Sequence, residues 1–262
     1  MNLYIVFALV SFLASVVGSV CGIGGGVLIK PVLDTFGVLD VAAISFLSGC
    51  TVFSMSCYSV VKARINGSSL VDRKIGFPLA VGAVLGGLIG KTIFQYIFGL
   101  VTSKERVGAV QAACLLFITL LTFLYTLNKD KIKKYHISNV PACIAIGIVL
   151  GFFSAFLGIG GGPINLMVLF FFFSMDTKTA AQNSLYIIFF SQAASLVNTL
   201  GSHTVPAFDI RLLILMVFGG ILGGAAGRTV NRYMEDDTVS RLFMGLMLVI
   251  MLLCIYNLIR FI

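Results

Sequence analysis

Eight apolar stretches dominate this chain, and they exclude a water-soluble fold. They run near 3–36, 41–61, 75–100 and 107–127 in the first half, and near 140–173, 179–200, 210–230 and 239–259 in the second. Each reaches the roughly 17–25 residues that a membrane span needs. In lipid the backbone has no water to bond, so spans of this kind satisfy their own N–H and C=O groups as helices. Only 11% of the 262 residues are charged and 59% are apolar, where a soluble domain carries roughly 25% charge. The expected fold class is therefore an all-α polytopic membrane protein of the plasma or inner membrane, with the lipid bilayer as its main partner. The apolar N-terminus has no Lys or Arg ahead of it and continues through glycines to residue 33. It is expected to be retained and not cleaved as a signal peptide.

The halves repeat one another. Shifted by 136 positions, Gly22–Gly26 ("GIGGG") falls on Gly158–Gly162, Asp40 on Asp176, Ser48 on Ser184 and Ser59 on Ser195. One inserted residue later, "GAVLGGLIGKT" (82–92) falls on "GGILGGAAGRT" (219–229). Two independent motifs in the same order mark a duplication. The expected organisation is a first repeat at 1–127, a basic connecting loop at 128–138 and a second repeat at 139–262, each repeat with four apolar segments. The first segment of each repeat is too long for one straight crossing and carries its glycine cluster mid-way. It reads as a helix broken at GIGGG, with a longer arm before and a shorter arm after.

Two topologies fit. If every segment crosses once, the repeats are parallel, and Lys plus Arg divide 10 against 8 between the two faces. If the broken segments are re-entrant, each repeat crosses three times, the repeats are inverted, and the division becomes 12 against 6. Concentration of basic residues on the cytoplasmic face favours the second. Inverted repeats with broken helices are also common in secondary transporters. Against it, an arm of about 19 residues is long for half a hairpin that turns within a hydrocarbon core of about 30 Å.

Non-helical backbone at membrane depth persists only where protein buries it or a water-filled cavity receives it. Gly22, Gly24, Gly25 and Gly26, with Gly158, Gly160, Gly161 and Gly162, leave their N–H groups unobstructed. The arm after each cluster begins with unpaired donors and the positive end of its dipole. Such a helix start attracts a small anion without a buried cation, and Pro163 suits a first helical position. The alternative is that the glycines only let helices pack closely, which is the preferred reading for 82–90 and 219–227. Side-chain candidates are Ser45, Ser48 and Thr51 in the first repeat and Asn165, Gln182, Asn183 and Ser184 in the second. Lone hydroxyls often bond their own helix, whereas buried amides need partners. Lys30 either neutralises an anion or snorkels to the interface. Lys91 and Arg228 read as interface anchors, with attraction of anions at the mouth as the alternative. All ten acidic residues, Asp34 among them, fall at expected span ends or in loops. That argues against a proton-pumping carboxylate inside the membrane.

Other classes fare poorly. The basic residues lie at span ends and in short loops, as topology signals do, so no nucleic-acid partner is expected. Two distant histidines and six scattered cysteines draw no metal site, and no cofactor is expected. Gly86–Thr92 is one residue short of a phosphate loop. GxSxG and HExxH are absent, which disfavours an intramembrane protease. Oligomeric state stays open, with a homodimer as one arrangement.

With both glycine motifs in view, the chain resembles the TauE/SafE family, the group of sulfite exporters and toluene-sulfonate uptake permeases. "GIGGGVLIKPVL" (22–33) looks like that family's first signature and "GIGGGPINLMVL" (158–169) like its second, with Met167 in place of a proline equivalent to Pro31. The resemblance covers nearly the whole chain. It implies a transporter of small sulfur-containing anions such as sulfite, thiosulfate or sulfoacetate, and no enzymatic activity. The substrate is expected between the two breaks, with alternating access as one half rocks against the other. A carrier of another solute, or a membrane assembly subunit without transport, are the rivals.

Overall fold

The computed structural model describes residues 3–100, 104–129, 131–133 and 135–261, which leaves Asp130 and Lys134 of the basic loop outside the described residues. The described residues form ten helices: α1 (Leu3–Cys21), α2 (Gly26–Phe36), α3 (Val41–Ile65), α4 (Arg73–Leu100), α5 (Lys104–Leu127), α6 (Val140–Leu157), α7 (Pro163–Phe173), α8 (Thr177–Gly201), α9 (Ile210–Tyr233) and α10 (Asp236–Phe261). No strand occurs among them. Eight are long and apolar enough to cross a membrane; α2 and α7, at 11 residues each, are not.

The glycine clusters interrupt the first segment of each half, between α1 and α2 and between α6 and α7. The arms after them turn back. Phe36 at the end of α2 stands 6.3 Å, centroid to centroid, from Phe7 near the start of α1. Ahead of α6, Tyr135 and Ile137 donate their N–H groups to the carbonyls of Phe171 and Phe172 at the end of α7, at 2.8 and 2.9 Å. Each pair is thus a re-entrant hairpin that enters and leaves on one face, with a long arm of about 28 Å and a short one of about 16 Å at 1.5 Å per residue. Three long helices follow each hairpin, and an odd number of crossings sends the second half in the opposite direction to the first. One face carries the chain ends, where Tyr4 bonds Asp209 (2.5 Å) and Phe46 packs on Phe208 (5.2 Å). The opposite face carries the loops at 66–72 and 174–176 and the described residues of the loop at 128–139.

The two halves interlock. Gly219, Gly223 and Gly227 of α9 lie against the carbonyls of Ala8, Phe12 and Val16 of α1, and a Cβ at any of them would collide with that backbone. Gly82, Gly86 and Gly90 of α4 lie in the same way against Ile144, Ile148 and Phe152 of α6, each 136 positions on from its counterpart in α1. Small residues at four-residue spacing let two helix backbones meet. The long arm of each hairpin is therefore held by the opposite half. At the centre α3 crosses α8, with Phe53 stacked on Phe189 at 5.5 Å. Val52, Met55, Leu185 and Ile188 form a buried cluster beside them.

Candidate functional site

The two glycine breaks meet in the middle of the molecule. Gly24 and Gly160 hold the left-handed backbone at φ 77° and 75°, a region side chains disfavour. A Cβ on Gly24 would stand 3.4 Å from the carbonyl oxygen of Gly160, and one on Gly26 would run into the carbonyl of Ile159. Val52 and Ile188, from the crossing helices, close over the pair. The breaks are not identical. Gly25 is right-handed at φ −63°, so α2 starts directly after it, whereas Gly161 and Gly162 stay non-helical at φ 119° and 118° until Pro163. The first N–H groups of a helix have no partner within it. In the first break Ile23 and Gly24 donate their N–H groups back to the carbonyl of Gly18, at 3.1 and 3.3 Å, and the bonds of α2 begin with Leu28 and Ile29, both donating to Gly25.

Several sequence candidates gather here. Asn165, fully buried, donates to Ser184 at 3.4 Å and lies against Gly161, while its side-chain oxygen has no partner. Ser48 is fully buried with an unpartnered hydroxyl. Ser45 is buried and unpartnered too, its hydroxyl 2.8 Å from where a Cβ on Gly158 would stand. Two polar groups escaped the sequence reading. Ser15 of α1 points an unpartnered hydroxyl at Gly25 (2.9 Å to a Cβ there). Gln192, 2% exposed, touches Gly160 and donates to Ser154 at 3.3 Å, which in turn bonds Ser191 at 3.1 Å. A glutamine deep inside an apolar segment was the available signal for the second.

Others lie elsewhere. Thr51 bonds the carbonyl of Leu47 in its own helix (2.9 Å) and packs against Gly220 of α9. Gln182 accepts the N–H of Leu70 at 2.9 Å, and Asn183 donates to the carbonyl of the same Leu70 at 3.3 Å. The two amides thus clamp the α3–α4 loop to α8 on the loop face. Lys30, 3% exposed, neither snorkels nor faces an open space: it is ion-paired with Asp34 at 2.8 Å, one turn along α2. Asp34 does lie at a helix end, in the last turn of α2, but it is not exposed there. Because α2 doubles back into the bundle, Asp34 is 6% exposed and buried against α10.

On the loop face a cavity of about 690 Å³ opens between the halves. Lys62, Arg64, Arg73, Lys178, Arg228 and Arg232 line it, and no acidic residue does among those described. Two of its lining residues, Ser19 and Ala181, are buried, and Ala181 is the residue a Cβ on Gly22 would strike. A low-dielectric cleft lined by one sign of charge concentrates ions of the other. Arg228 is fixed there by bonds to the carbonyl of Ser59 and the hydroxyl of Ser68, both 2.8 Å. Its repeat counterpart, Lys91, is 7% exposed with its ammonium 5.0 Å from the Phe94 ring centroid. Around Lys91, Asn198 bonds Thr92 at 3.1 Å and Gln95 bonds Thr204, which ties α4 to α8 and to the loop after it.

The sequence profile described as Sulfite exporter TauE/SafE matches residues 7–253. The chain is 26% identical over 255 residues to the probable membrane transporter protein YunE of Bacillus subtilis (strain 168), across 90% of this chain and 91% of that one. It is 23% identical over 236 residues to the probable membrane transporter protein MJ0441 of Methanocaldococcus jannaschii, across 86% and 85% of the two chains. No solved structure matches it.

Proposed function

The chain belongs to the TauE/SafE family of sulfite exporters, and within that family of membrane transporters we propose that it carries a small sulfur oxyanion, of the sulfite or thiosulfate kind, by alternating access. The observation that carries this reading is the basic cavity on the loop face, which ends against the first glycine break. An anion entering there meets six cations first and then the backbone donors and the positive end of α2. Ser15, Ser45, Ser48, Asn165 and Ser184 supply side-chain donors around the breaks. Among the described residues, 11 of the 17 Lys and Arg lie toward the loop face, which makes it the cytoplasmic side.

Repeat-equivalent positions sit in two environments, Arg228 beside an open cavity and Lys91 beneath packed side chains. In an inverted duplication, exchange of those two environments is the inward-to-outward switch. The test is saturable radiolabelled thiosulfate or sulfite flux in proteoliposomes. Gly25→Val and Gly161→Val should each abolish flux in protein that remains folded. Flux retained by both would move the anion away from the breaks. A wild type that carries neither anion would overturn the substrate reading.

A further inference from the structure

The Lys30–Asp34 pair is not duplicated: its counterparts at the 136 offset are Leu166 and Phe170. It borders a small space of about 10 Å³, the size of one water, together with Gln111 of α5, Asn257 of α10, and Leu157 and Ile159 at the second break. Three oxygens around this space have no partner: Oδ1 of Asp34, Oε1 of Gln111 and Oδ1 of Asn257, on residues 6%, 2% and 1% exposed. The amide nitrogens are already committed, Gln111 donating to the carbonyl of Phe156 (2.6 Å) and Asn257 to that of Pro31 (2.8 Å). Buried acceptors left without a partner call for a proton donor. A metal cation fits poorly, because the Lys30 ammonium is 2.8 Å from Asp34 and would repel it.

We propose that Asp34 is the site of a coupling proton. This rests on the anion-carrier reading for what is coupled, though not for the proton site itself. When a proton adds to the Asp34 carboxylate, the carboxyl donates to Asn257 or Gln111 and its hold on Lys30 weakens. Lys30 then presents an uncompensated positive charge beside Ile159 and the second break, which favours an anion there. Proton and anion therefore load together, and departure of the anion restores the ion pair and expels the proton. The groups facing Asp34 are few. Lys30 lies on its own helix. Cys254 lines the same space from α10, and Arg260 of α10 donates to the backbone carbonyls of Asp34 and Thr35. The α1 and α6 helices carry no charged side chain, α3 carries its own at the far, loop-face end, and Glu105 and Arg106 of α5 are exposed.

Two measurements on the reconstituted full-length protein test this. The first is the infrared difference spectrum on acidification, without any anion. The carboxylic-acid carbonyl region should contain a component in wild type that is missing in Asp34→Asn, where the other nine acidic residues are unchanged. The second is thiosulfate accumulation with membrane voltage clamped at zero. For one proton per anion, a gradient of one pH unit should accumulate thiosulfate about tenfold in wild type, and Asp34→Asn should only equilibrate it. If Asp34→Asn is unstable because Lys30 is left unpaired, Lys30→Met/Asp34→Leu replaces both charges at once and carries the same comparison. Absence of an Asp34-dependent band overturns the proposal, as does undiminished accumulation in the variants. The band without thiosulfate movement in wild type upholds the proton site and overturns the substrate.

Discussion

Glycines of the same type do opposite work in this chain, and the difference lies in what stands opposite each one. At Gly223 a Cβ would enter the carbonyl of Phe12, a backbone atom that cannot rotate away; at Gly245, exposed on α10, it would meet nothing within 4 Å. Gly223→Ala should therefore lose about 1–3 kcal/mol through overpacking. Gly245→Ala should gain about 0.5–1 kcal/mol from helix propensity. Thermal unfolding in detergent, followed by labelling of the buried cysteines, reads both; equal shifts would mean that the α1–α9 contact does not depend on the missing Cβ. Sequence spacing alone marked 82–90 and 219–227 as packing faces, because the four-residue period is a local property of a helix. It did not reveal the burial of Asp34. That depends on where the chain goes after a turn, and an acidic residue three positions before a glycine also reads as a span end.

At the scale of elements, the break in each first segment was legible because three adjacent glycines inside an over-long apolar run are a local signal. The return of the short arm was not, since hydropathy is the same for a helix that continues and one that doubles back. Charge placement carried that distinction, and the hairpin contacts Phe7–Phe36 and Tyr135–Phe171 agree with the 12-against-6 division. Gln182 and Asn183 were legible as amides needing partners, but which partner they find, Leu70, is set by a loop more than a hundred residues away. On the other face, α1 is clasped to α9 by Tyr4 and Asp209. The Tyr4 hydroxyl, followed by the N–H of Arg211, holds the Asp209 carboxyl below its ordinary value. A carboxylate with a lowered folded-state value stabilises above its unfolded value, and that stability is lost as pH falls through the folded one. Tyr4→Phe should weaken the acid dependence of thermal unfolding below the usual carboxylate range and leave neutral-pH behaviour almost unchanged. An unaltered acid limb would show that the clasp contributes nothing. Because the cavity cations act over distance, Arg228→Gln should raise KM for the anion several-fold with kcat little changed. The difference should shrink as added salt shortens the screening length from about 10 Å to about 3 Å; a salt-independent loss of kcat would place Arg228 in the transport step itself.

At the scale of the molecule, the inverted halves make one observed conformation informative about its opposite. The loop face is open around Arg228, and the chain-end face is closed around Lys91, with Gln95 bonded to Thr204 and Asn198 to Thr92. If the closed face is a gate, α4 must part there from the loop after α8 when the anion crosses, and α3 must meet α9 more closely on the other side. A short bis-maleimide cross-linker bridging Gln95→Cys and Thr204→Cys, in a background with the six native cysteines replaced, should hold the chain-end face shut. It should stop thiosulfate flux while the loop-face cavity stays reachable by reagents added from that side. Cleaving a reducible version of the linker should restore flux. The same linker placed on either residue alone should do nothing, since one arm cannot join the two elements. Undiminished flux in the doubly linked protein would mean that the anion passes without separation of α4 from that loop, and that the contrast between Arg228 and Lys91 reflects sequence divergence of the halves and no conformational exchange.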